Sequence, residues 1–246
     1  MARPRFLVPL LKPAGTISLP EEESHHASRV LRCQTGDIVV LFDGEGNEAT
    51  ASIEAVSKRG VEAAIQTYDF APRDHLGRLN FAVAVPKGDR QKSTVEKLVE
   101  LGVDSLTPLA TTRGVAVVDE SNVDRLARYT IEACKQCGRN RLMTVGTSLM
   151  LSQLNLPQPH LQTWILHPDL PGSECYSIRE ACHLEMTYPP QQLLFLVGPE
   201  GGFTDDEVTL AVSLGAKILT LGDRIQRVET AVSTAAVLGS LWLSGS

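Results

Sequence analysis

The sequence predicts an α/β protein built on a parallel sheet and preceded by a small β-barrel domain. From residue 79 onward, apolar runs alternate with amphipathic helical segments, which is the order of a parallel βαβ sheet. In the first part of the chain, short β-branched runs are separated by glycine turns, which is typical of a small barrel. A charged segment that contains Pro72 and Gly77 lies between the two regions. We therefore expect two domains, residues 1–72 and residues 73–246.

In the first domain, hydrophobic periodicity indicates one helix and three strands. The expected elements are a helix over residues 24–32 and strands over residues 38–42, 48–56 and 61–65. The middle strand alternates between apolar and polar residues, so one of its faces is expected to be buried. That apolar face comprises Ala49, Ala51, Ile53 and Ala55.

The second domain shows short apolar runs between segments with helical spacing. The expected strands cover residues 79–85, 105–109, 164–166, 193–197 and 217–221. The expected helices lie around residues 95–102, 123–134, 206–214 and 230–243. This succession predicts a parallel sheet with helices on its faces.

Composition excludes several classes of protein. The chain has 246 residues, 43% of them hydrophobic and 21% charged, which is ordinary for a globular protein. No apolar run reaches the roughly 18 residues of a membrane span, and the chain start lacks secretory features, so a cytoplasmic location is expected. A net charge of −6 argues against a surface that is basic overall, and the odd count of 5 cysteines indicates reduced thiols.

A glycine-rich loop between a buried strand and a helix is the sharpest local feature. Residues 193–203 read LLFLVGPEGGF. Because ligands of parallel sheets lie beyond the carboxyl ends of the strands, and glycine permits close backbone approach, this loop is a candidate binding site. A side chain added at Gly201 is therefore expected to block the pocket. The alternative is a turn that only connects strand to helix.

The start of the next helix indicates which ligand the loop suits. Thr204 and Glu207 are expected to form a capping box, which engages the amides that would hold a phosphate. Three carboxylates in this first turn, residues 205–207, also repel an anion. The spacing matches neither a P-loop nor a Rossmann motif. A neutral or cationic nucleoside such as S-adenosylmethionine therefore fits better than a nucleotide.

A second loop near the end of the chain follows another predicted strand. It reads GDRIQRVE over residues 222–229 and precedes a helix rich in small residues. One loop rich in glycine and one carrying two arginines are expected to form facing walls of a pocket. Ordinary internal packing is the alternative.

Both loops resemble a known family. GPEGGF at residues 198–203 and LGDRIQRVETA at residues 221–231 are similar to the RsmE-type 16S rRNA uridine-N3 methyltransferases of the SPOUT superfamily. The resemblance extends to the family's N-terminal barrel at HHASRVLRCQTGD and VVLFDGEGNEATA, and to its central motifs at KGDRQKSTVEKLVELGVDSLTPL and IEACKQCGRN. Gln226 stands where an apolar residue is expected, and Cys137 stands where the family often has serine.

The resemblance implies a fold and an activity. The fold would be a SPOUT-type parallel sheet with a C-terminal trefoil knot, preceded by a PUA-like β-barrel that binds RNA. The activity would be S-adenosylmethionine-dependent methylation of the N3 of a uridine in the 16S rRNA of the small ribosomal subunit. Family members form homodimers with the pocket beside the interface.

The site residues follow from the matching motifs. The cofactor is expected to contact Leu196, Val197, Gly198, Pro199, Glu200, Gly201, Gly202, Leu219, Leu221, Gly222, Ile225 and Val228. The catalytic candidates are Arg227, to stabilise charge on the uracil oxygens, and Glu229 or Glu200, to assist proton removal or orient the arginine. A structural ion pair of Arg227 with Glu229, and a carboxylate of Glu200 that holds the glycine loop, are the alternatives. RNA binding is expected at Arg3, Arg5, Arg29, Arg32, Lys87, Arg90 and Arg139, where solvated surface charge is the alternative.

The sequence also contains candidate metal ligands and leaves two alternative functions open. Cys134 and Cys137 form a single C-x-x-C without the further ligands that a zinc site needs, so no metal is expected. His25 and His26 are adjacent and do not face one way on a helix. Two functional alternatives remain: a SPOUT-type methyltransferase that acts on a ribose 2′-hydroxyl or on tRNA, and a non-catalytic RNA-binding protein of ribosome assembly.

Overall fold

The computed structural model describes residues 3–114, 119–168, 172–187 and 190–244. Packing divides the chain into two units, Met1–Asp74 with Ile131–Leu142, and His75–Thr130 with Met143–Ser246. The domain boundary after residue 72 stays a prediction, and the assignment of Ile131–Leu142 to the first unit is a feature that periodicity did not indicate. Residues 1–2 of the predicted first domain and residues 245–246 of the predicted second domain lie outside the described residues.

The first unit contains a five-stranded sheet. Its elements are β1 (Arg5–Leu7), β2 (Thr16–Ser18), α1 (Glu21–His25) with a π-helical turn (His26–Val30), β3 (Ile38–Phe42), β4 (Asn47–Ser57) and β5 (Gly60–Phe70). The strand order is β1-β3-β4-β5-β2, with β1 parallel to β3 and the other pairs antiparallel. The N-terminal β-rich region is therefore present, and its strands β3, β4 and β5 cover the three runs that periodicity indicated.

The long strand β4 shows how the first unit forms its core. Ala49, Ala51 and Ile53 are buried, as the alternation predicts. A register shift between Ile53 and Ala55 interrupts the ladder, and Ala55 is only half-buried. The buried face ends at this irregularity because an extra residue moves the following side chains out of register.

The second unit contains a parallel sheet with helices. Its elements are β6 (Arg78–Val83), α2 (Asp89–Glu100), β7 (Ser105–Ala110), α3 (Glu120–Cys137), β8 (Thr144–Val145), β9 (Leu149–Met150), a 3-10 turn (Leu151–Gln153), β10 (Leu161–Leu166), β11 (Cys175–Ser177), α4 (Ile178–Thr187), β12 (Gln192–Val197), α5 (Asp205–Ser213), β13 (Lys217–Thr220) and α6 (Val228–Ser244). The order is β11-β13-β10-β12-β6-β7-β8, β9 also pairs with β7, and all these pairings are parallel. The α/β class with a parallel sheet is confirmed. From Ile131 onward, α3 belongs to the first unit.

Close packing of α6 on the sheet explains its small residues. A Cβ at Gly239 would lie 2.6 Å from Leu79 Cδ1 and 3.0 Å from Phe195 Cε2, so only glycine allows this approach. Nearby, the Phe195 and Trp242 rings have centroids 5.8 Å apart and fill the space between helix and strand. Because β6, β12, β10 and β13 run parallel, their carboxyl ends meet at one edge of the sheet.

Two arginines that we expected to bind RNA are interior in the first unit. Arg139 has a side chain that is only 4% exposed, and its Nη2 lies 3.3 Å from Asp74 Oδ1. Arg5 is 12% exposed, with Nη1 at 2.9 Å from Glu48 Oε2. Burial alone would raise the pKa of Glu48, but hydrogen bonds and charges from Arg73 and Arg5 outweigh it and lower the pKa. Placement of Arg5 and Arg139 thus favours a structural role, because paired and buried cations are not available to a phosphate.

Among the described residues, no helix is both long and apolar enough to cross a membrane.

Candidate active site

A cavity of about 410 Å³ lies at the carboxyl-end edge of the sheet in the second unit. Three strand ends supply most of its lining: residues 197–203 after β12, residues 219–226 after β13 and residues 166–168 after β10. We call residues 198–203 the glycine wall and residues 222–227 the arginine wall. The two loops that the sequence singled out thus lie together at one cavity.

Most residues that were expected to contact a cofactor line this cavity. The lining includes Val197, Gly198, Pro199, Glu200, Gly201, Gly202, Leu219, Leu221, Gly222, Ile225 and Val228. Leu196 is fully buried in the core of the unit with Ile165 and Phe203, and is not part of the lining. The cofactor role of these residues stays a prediction.

The three catalytic candidates occupy different places. Glu200 lines the cavity, and its Oε1 lies 2.5 Å from Arg90 Nη1. Arg227 is exposed and directly precedes α6, where its carbonyl accepts from the amide of Ala231 at 2.8 Å. Glu229 is half-buried, and its Oε2 has no hydrogen-bond partner among the described residues. Arg227 and Glu229 are not part of the cavity lining, and in the described part of the chain they form no ion pair with each other.

The helix α5 begins directly after the glycine wall and has the expected capping box. The Glu207 amide donates to Thr204 Oγ1 at 3.2 Å, and the Thr204 amide donates to Glu207 Oε2 at 2.8 Å. Burial would raise the pKa of Glu207, but hydrogen bonds from Thr204 and Thr112 outweigh it and lower the pKa. The first turn therefore carries a stable negative charge with Asp205 and Asp206, which disfavours an anionic ligand at this helix end.

Each glycine of the loop has a different structural reason. A Cβ at Gly198 would lie 3.0 Å from Phe203 Cδ2 and 3.2 Å from the Phe203 amide nitrogen, which is tighter than ordinary contact. Gly202 has a φ of +69°, a conformation that residues with a Cβ rarely adopt. A Cβ at Gly201 would instead lie 3.4 Å from Arg113 Cβ. A Cβ at Gly201 thus has Arg113 as its nearest neighbour at an ordinary contact distance, and the expectation that a larger side chain there blocks the pocket stays a prediction.

Sequence reasoning missed several residues of this site. Arg113, after β7, lines the cavity and donates from Nη1 to the carbonyl oxygens of Gly201 at 2.9 Å and Phe203 at 3.2 Å. His167 and Pro168 follow β10, and the His167 amide donates to Leu219 O at 3.2 Å. The available signal was their position: each follows a strand of the parallel sheet at its carboxyl end. The other unforeseen lining residues are Leu166, Phe203 and Ala231, whereas Thr220, Asp223, Arg224 and Gln226 lie in or next to the second loop, which was expected to form a wall.

The remaining basic candidates are accessible in their own units. Those exposed are Arg3, Arg29 and Arg32 in the first unit, and Lys87 and Arg90 in the second. Arg90 also pairs with Glu200, so it contacts the glycine wall. None of the 5 cysteines forms a disulfide bond, and the described residues contain no group of three or more potential metal ligands.

Comparison with known proteins decides the family. A family profile described as an RNA methyltransferase domain matches residues 73–239, more than half of the chain. The chain belongs to the RNA methyltransferase family. The family's PUA domain, described as an RNA methyltransferase PUA domain, matches residues 19–66. The resemblance of the two loops is thereby confirmed.

Relatives of this methyltransferase family match along most of their length. Ribosomal RNA small subunit methyltransferase E of Synechocystis is 30% identical over 90% of this chain and 71% of the relative. The Bacillus subtilis protein of the same name is 28% identical over 92% of both chains. Two solved structures each cover 98% of both chains: a Legionella pneumophila methyltransferase with bound cofactor SAM, at 32% identity and a TM-score of 0.84, and ribosomal RNA small subunit methyltransferase E of Neisseria gonorrhoeae bound to S-adenosyl methionine, at 31% and 0.85.

Proposed function

We propose that this protein transfers a methyl group from S-adenosylmethionine to the N3 of a uridine in the 16S rRNA of the small ribosomal subunit. The observation that carries the proposal is the cavity between the glycine wall and the arginine wall, at the ligand-binding edge of a parallel sheet. Membership of the RNA methyltransferase family and relatives named for small-subunit rRNA support it.

The residues of the cavity fit S-adenosylmethionine. Val197, Leu219 and Leu221 provide an apolar lining for a flat base, and a volume of about 410 Å³ is within the usual range for a small organic ligand. Glu200 and Asp223 add carboxylates to the lining, which suits the positive sulfonium and ammonium groups of this cofactor. When bound, S-adenosylmethionine supplies an electrophilic methyl group.

Methylation at N3 requires that the uridine first lose the N3 proton. The N3 atom lies on the Watson–Crick edge, so the target base must be unpaired or flipped out of a helix. We assign to Arg227 the stabilisation of negative charge on the uracil oxygens, because Arg227 is exposed and stands in the chain between the lining residues Gln226 and Val228. Glu200 or Glu229 takes the proton or orients the arginine. Glu229 suits this role because its Oε2 is buried and has no other partner among the described residues.

RNA contact is proposed at the exposed cations of each unit. Arg3, Arg29 and Arg32 serve the PUA-like first unit, whereas Lys87 and Arg90 serve the second. Replacing Arg29 and Arg32 together by alanine should weaken rRNA binding and lower the slope of log affinity against log salt by about 1–2. The matched double lysine variant keeps the charge and should keep the slope. An unchanged slope in the alanine variant would remove these residues from the RNA surface.

Three finer features of the family belong to the same proposal: a trefoil knot that contains the two walls, a closed PUA-like barrel and a homodimer. A dimer is supported by Val237 and Leu241, which are 47% and 62% exposed and lie four residues apart on α6. The proposed location is the cytoplasm, where rRNA is modified. Sedimentation of the wild type and a Leu241→Glu variant tests the dimer, which the charge should dissociate.

Nucleoside analysis tests the proposed reaction directly. The full chain is incubated with methyl-labelled S-adenosylmethionine and either free 16S rRNA or small ribosomal subunits that lack the modification. The RNA is then digested and analysed by mass spectrometry beside a reaction without protein. Labelled 3-methyluridine is expected. A ribose-methylated product or labelled tRNA would favour the other enzymatic alternative, and RNA binding without cofactor binding would favour a non-catalytic assembly protein.

A further inference from the structure

The segment that follows β7 contacts the glycine wall and the helix after it at separate points. Arg113 Nη1 donates to Gly201 O at 2.9 Å and to Phe203 O at 3.2 Å. One residue earlier, the Thr112 amide donates to Glu207 Oε1 at 2.8 Å. The residues joined here are about 90 positions apart in the sequence, so this is a tertiary contact.

These contacts restrain a backbone that has little restraint of its own. The wall contains three glycines, and glycine loses more conformational freedom on ordering than any other residue. A turn closes within it, since the Gly202 amide donates to Pro199 O at 2.8 Å. The guanidinium of Arg113 adds charge-assisted hydrogen bonds to carbonyls on both sides of Gly202, which fixes how the peptide planes face. A wall that is ordered before the ligand arrives does not lose that freedom on binding.

We infer that Arg113 is a positioning residue for the cofactor: its guanidinium holds the glycine wall in the conformation that binds S-adenosylmethionine. This inference rests on the proposed function of the same cavity. Arg113 acts through the carbonyls of Gly201 and Phe203, and the chemistry of methyl transfer is left to other residues.

The contact of Gly201 with Arg113 offers a second, independent test. A Cβ at Gly201 would lie 3.4 Å from Arg113 Cβ and 3.5 Å from Arg113 Cδ. Since a Cβ there is already in contact with the arginine stem, we expect the two further methyl groups of Gly201→Val to crowd Arg113 and weaken its hydrogen bonds. We call the hydrogen bonds from Arg113 to the carbonyls of Gly201 and Phe203 the clamp. If Gly201→Val lowers cofactor affinity by disturbing the clamp, it should lower that affinity little further once Arg113 is already alanine.

The experiment measures S-adenosylmethionine affinity by calorimetry in full-length wild type, Arg113→Ala, Gly201→Val and the double variant. Arg128→Ala is the matched control, because Arg128 is exposed on α3 outside the cavity. Arg113→Ala should weaken cofactor affinity about 10-fold or more, as for loss of hydrogen bonds from a charged group, with a melting temperature within about 2 °C of wild type. The double variant should bind S-adenosylmethionine about as tightly as whichever single variant has the lower affinity. Arg128→Ala should bind as wild type does.

Steady-state kinetics separate positioning from a general structural role. Arg113→Ala should raise KM for S-adenosylmethionine and leave kcat and KM for RNA near the wild-type values. Added ethylguanidinium in the millimolar range should restore part of the lost affinity.

Cofactor affinity that is unchanged in Arg113→Ala overturns the inference. A loss of cofactor affinity that is accompanied by a loss of folding free energy of the same size also overturns it. A raised KM for RNA alone also overturns it and makes Arg113 a contact of the substrate. Additive effects of Gly201→Val and Arg113→Ala contradict the clamp as the route of damage. A wild-type protein that binds no S-adenosylmethionine contradicts the proposed function itself, so the two failures are distinguishable.

Discussion

The two walls of the cavity differ in how firmly they are held. The glycine wall is tied by Arg113, by the ion pair of Glu200 with Arg90, and by the capping box that starts α5. The arginine wall projects into solvent: its exposed members are Gly222, Asp223, Arg224, Ile225 and Arg227. A hydrogen bond from Thr234 Oγ1 to Gln226 Oε1 at 3.1 Å attaches it to α6.

This difference suggests a division of work between cofactor and substrate. A wall ordered in advance suits a small ligand that must be held in one geometry. An open wall with exposed arginines suits a large polyanion whose target base must enter from outside. We therefore expect changes in the glycine wall to lower cofactor affinity and changes in the arginine wall to lower the rate of methyl transfer.

Removal of Arg227 should have the largest effect. Arg227→Ala is expected to slow single-turnover methyl transfer at saturating RNA and cofactor by about 2–4 kcal/mol, as for loss of one donor to a developing anion. Lysine should rescue poorly because it lacks the planar fork. The melting temperature should hold, since the side chain is exposed and unpaired with Glu229 in the described residues. A stable variant with normal chemistry would exclude Arg227 from catalysis.

The tight fit at Gly198 predicts the next largest effect. Gly198→Ala places a Cβ 3.2 Å from the Phe203 amide nitrogen, so backbone must move, and overpacking of this kind costs about 1–3 kcal/mol. Calorimetry should show S-adenosylmethionine affinity reduced by roughly 10–100-fold. Gly146→Ala is the control, because its Cβ would meet Thr107 Oγ1 at an ordinary 3.6 Å. Equal affinities in the two variants would mean that the fit at Gly198 does not shape the site.

Glu185, at the opposite edge of the same sheet, allows a test in which the free energy of unfolding changes and the activity does not. Burial raises the pKa of Glu185 to about 7, although Lys217 and Trp164 oppose the shift. The group lines a second cavity of about 370 Å³ at the amino ends of β10 and β13. Between an unfolded pKa of 4.5 and a folded pKa of about 7, the folded protein holds the proton more tightly, so stability falls as pH rises through this window.

Glu185→Gln should therefore stabilise the protein more at pH 8 than at pH 5, by about 1–2 kcal/mol. Denaturant unfolding at both pH values measures the difference. Methyl transfer should be unchanged, because Glu185 lies away from the two walls. A gain in stability that is the same at both pH values would contradict the buried, protonated carboxyl.

The smallest effect is expected at Ile225 in the arginine wall. Its side chain is 89% exposed, so Ile225→Ser should change the free energy of unfolding by no more than about 0.5 kcal/mol. Chemical denaturation measures this. A loss well above 1 kcal/mol would show that the arginine wall is packed in solution and that the two walls are alike.

Local patterns predicted many elements of the fold, although they gave no sign of α4, β8 or β9. Strands β3, β7, β12 and β13 lie where apolar runs indicated them, and Thr204 with Glu207 forms the capping box, because these signals depend on residues close in sequence. The three-residue strands β1, β2 and β11 were not predicted, because three residues are too few to show a hydrophobic alternation. The knot and the N3 specificity came from family resemblance and remain proposals.

At the site, residues were misassigned or missed because their partners are distant in the sequence. Arg5 and Arg139 have the charge of RNA-binding residues, yet Glu48 and Asp74 neutralise them within the fold, and composition does not identify such partners. Arg113 was overlooked because its partners, Gly201 and Phe203, become neighbours only through the order of strands in the sheet. Charge and glycine content therefore indicated the loops, whereas the contacts that order one of them required the tertiary structure.

One paired measurement tests the division of work most directly. Equilibrium S-adenosylmethionine affinity and the single-turnover rate at saturating cofactor are measured on wild type, Gly198→Ala and Arg227→Ala with the same 16S rRNA. We expect a crossed result, in which Gly198→Ala loses affinity and keeps most of its rate, and Arg227→Ala keeps affinity and loses rate. Parallel loss of both quantities in both variants would contradict it and show that the two walls act as one unit.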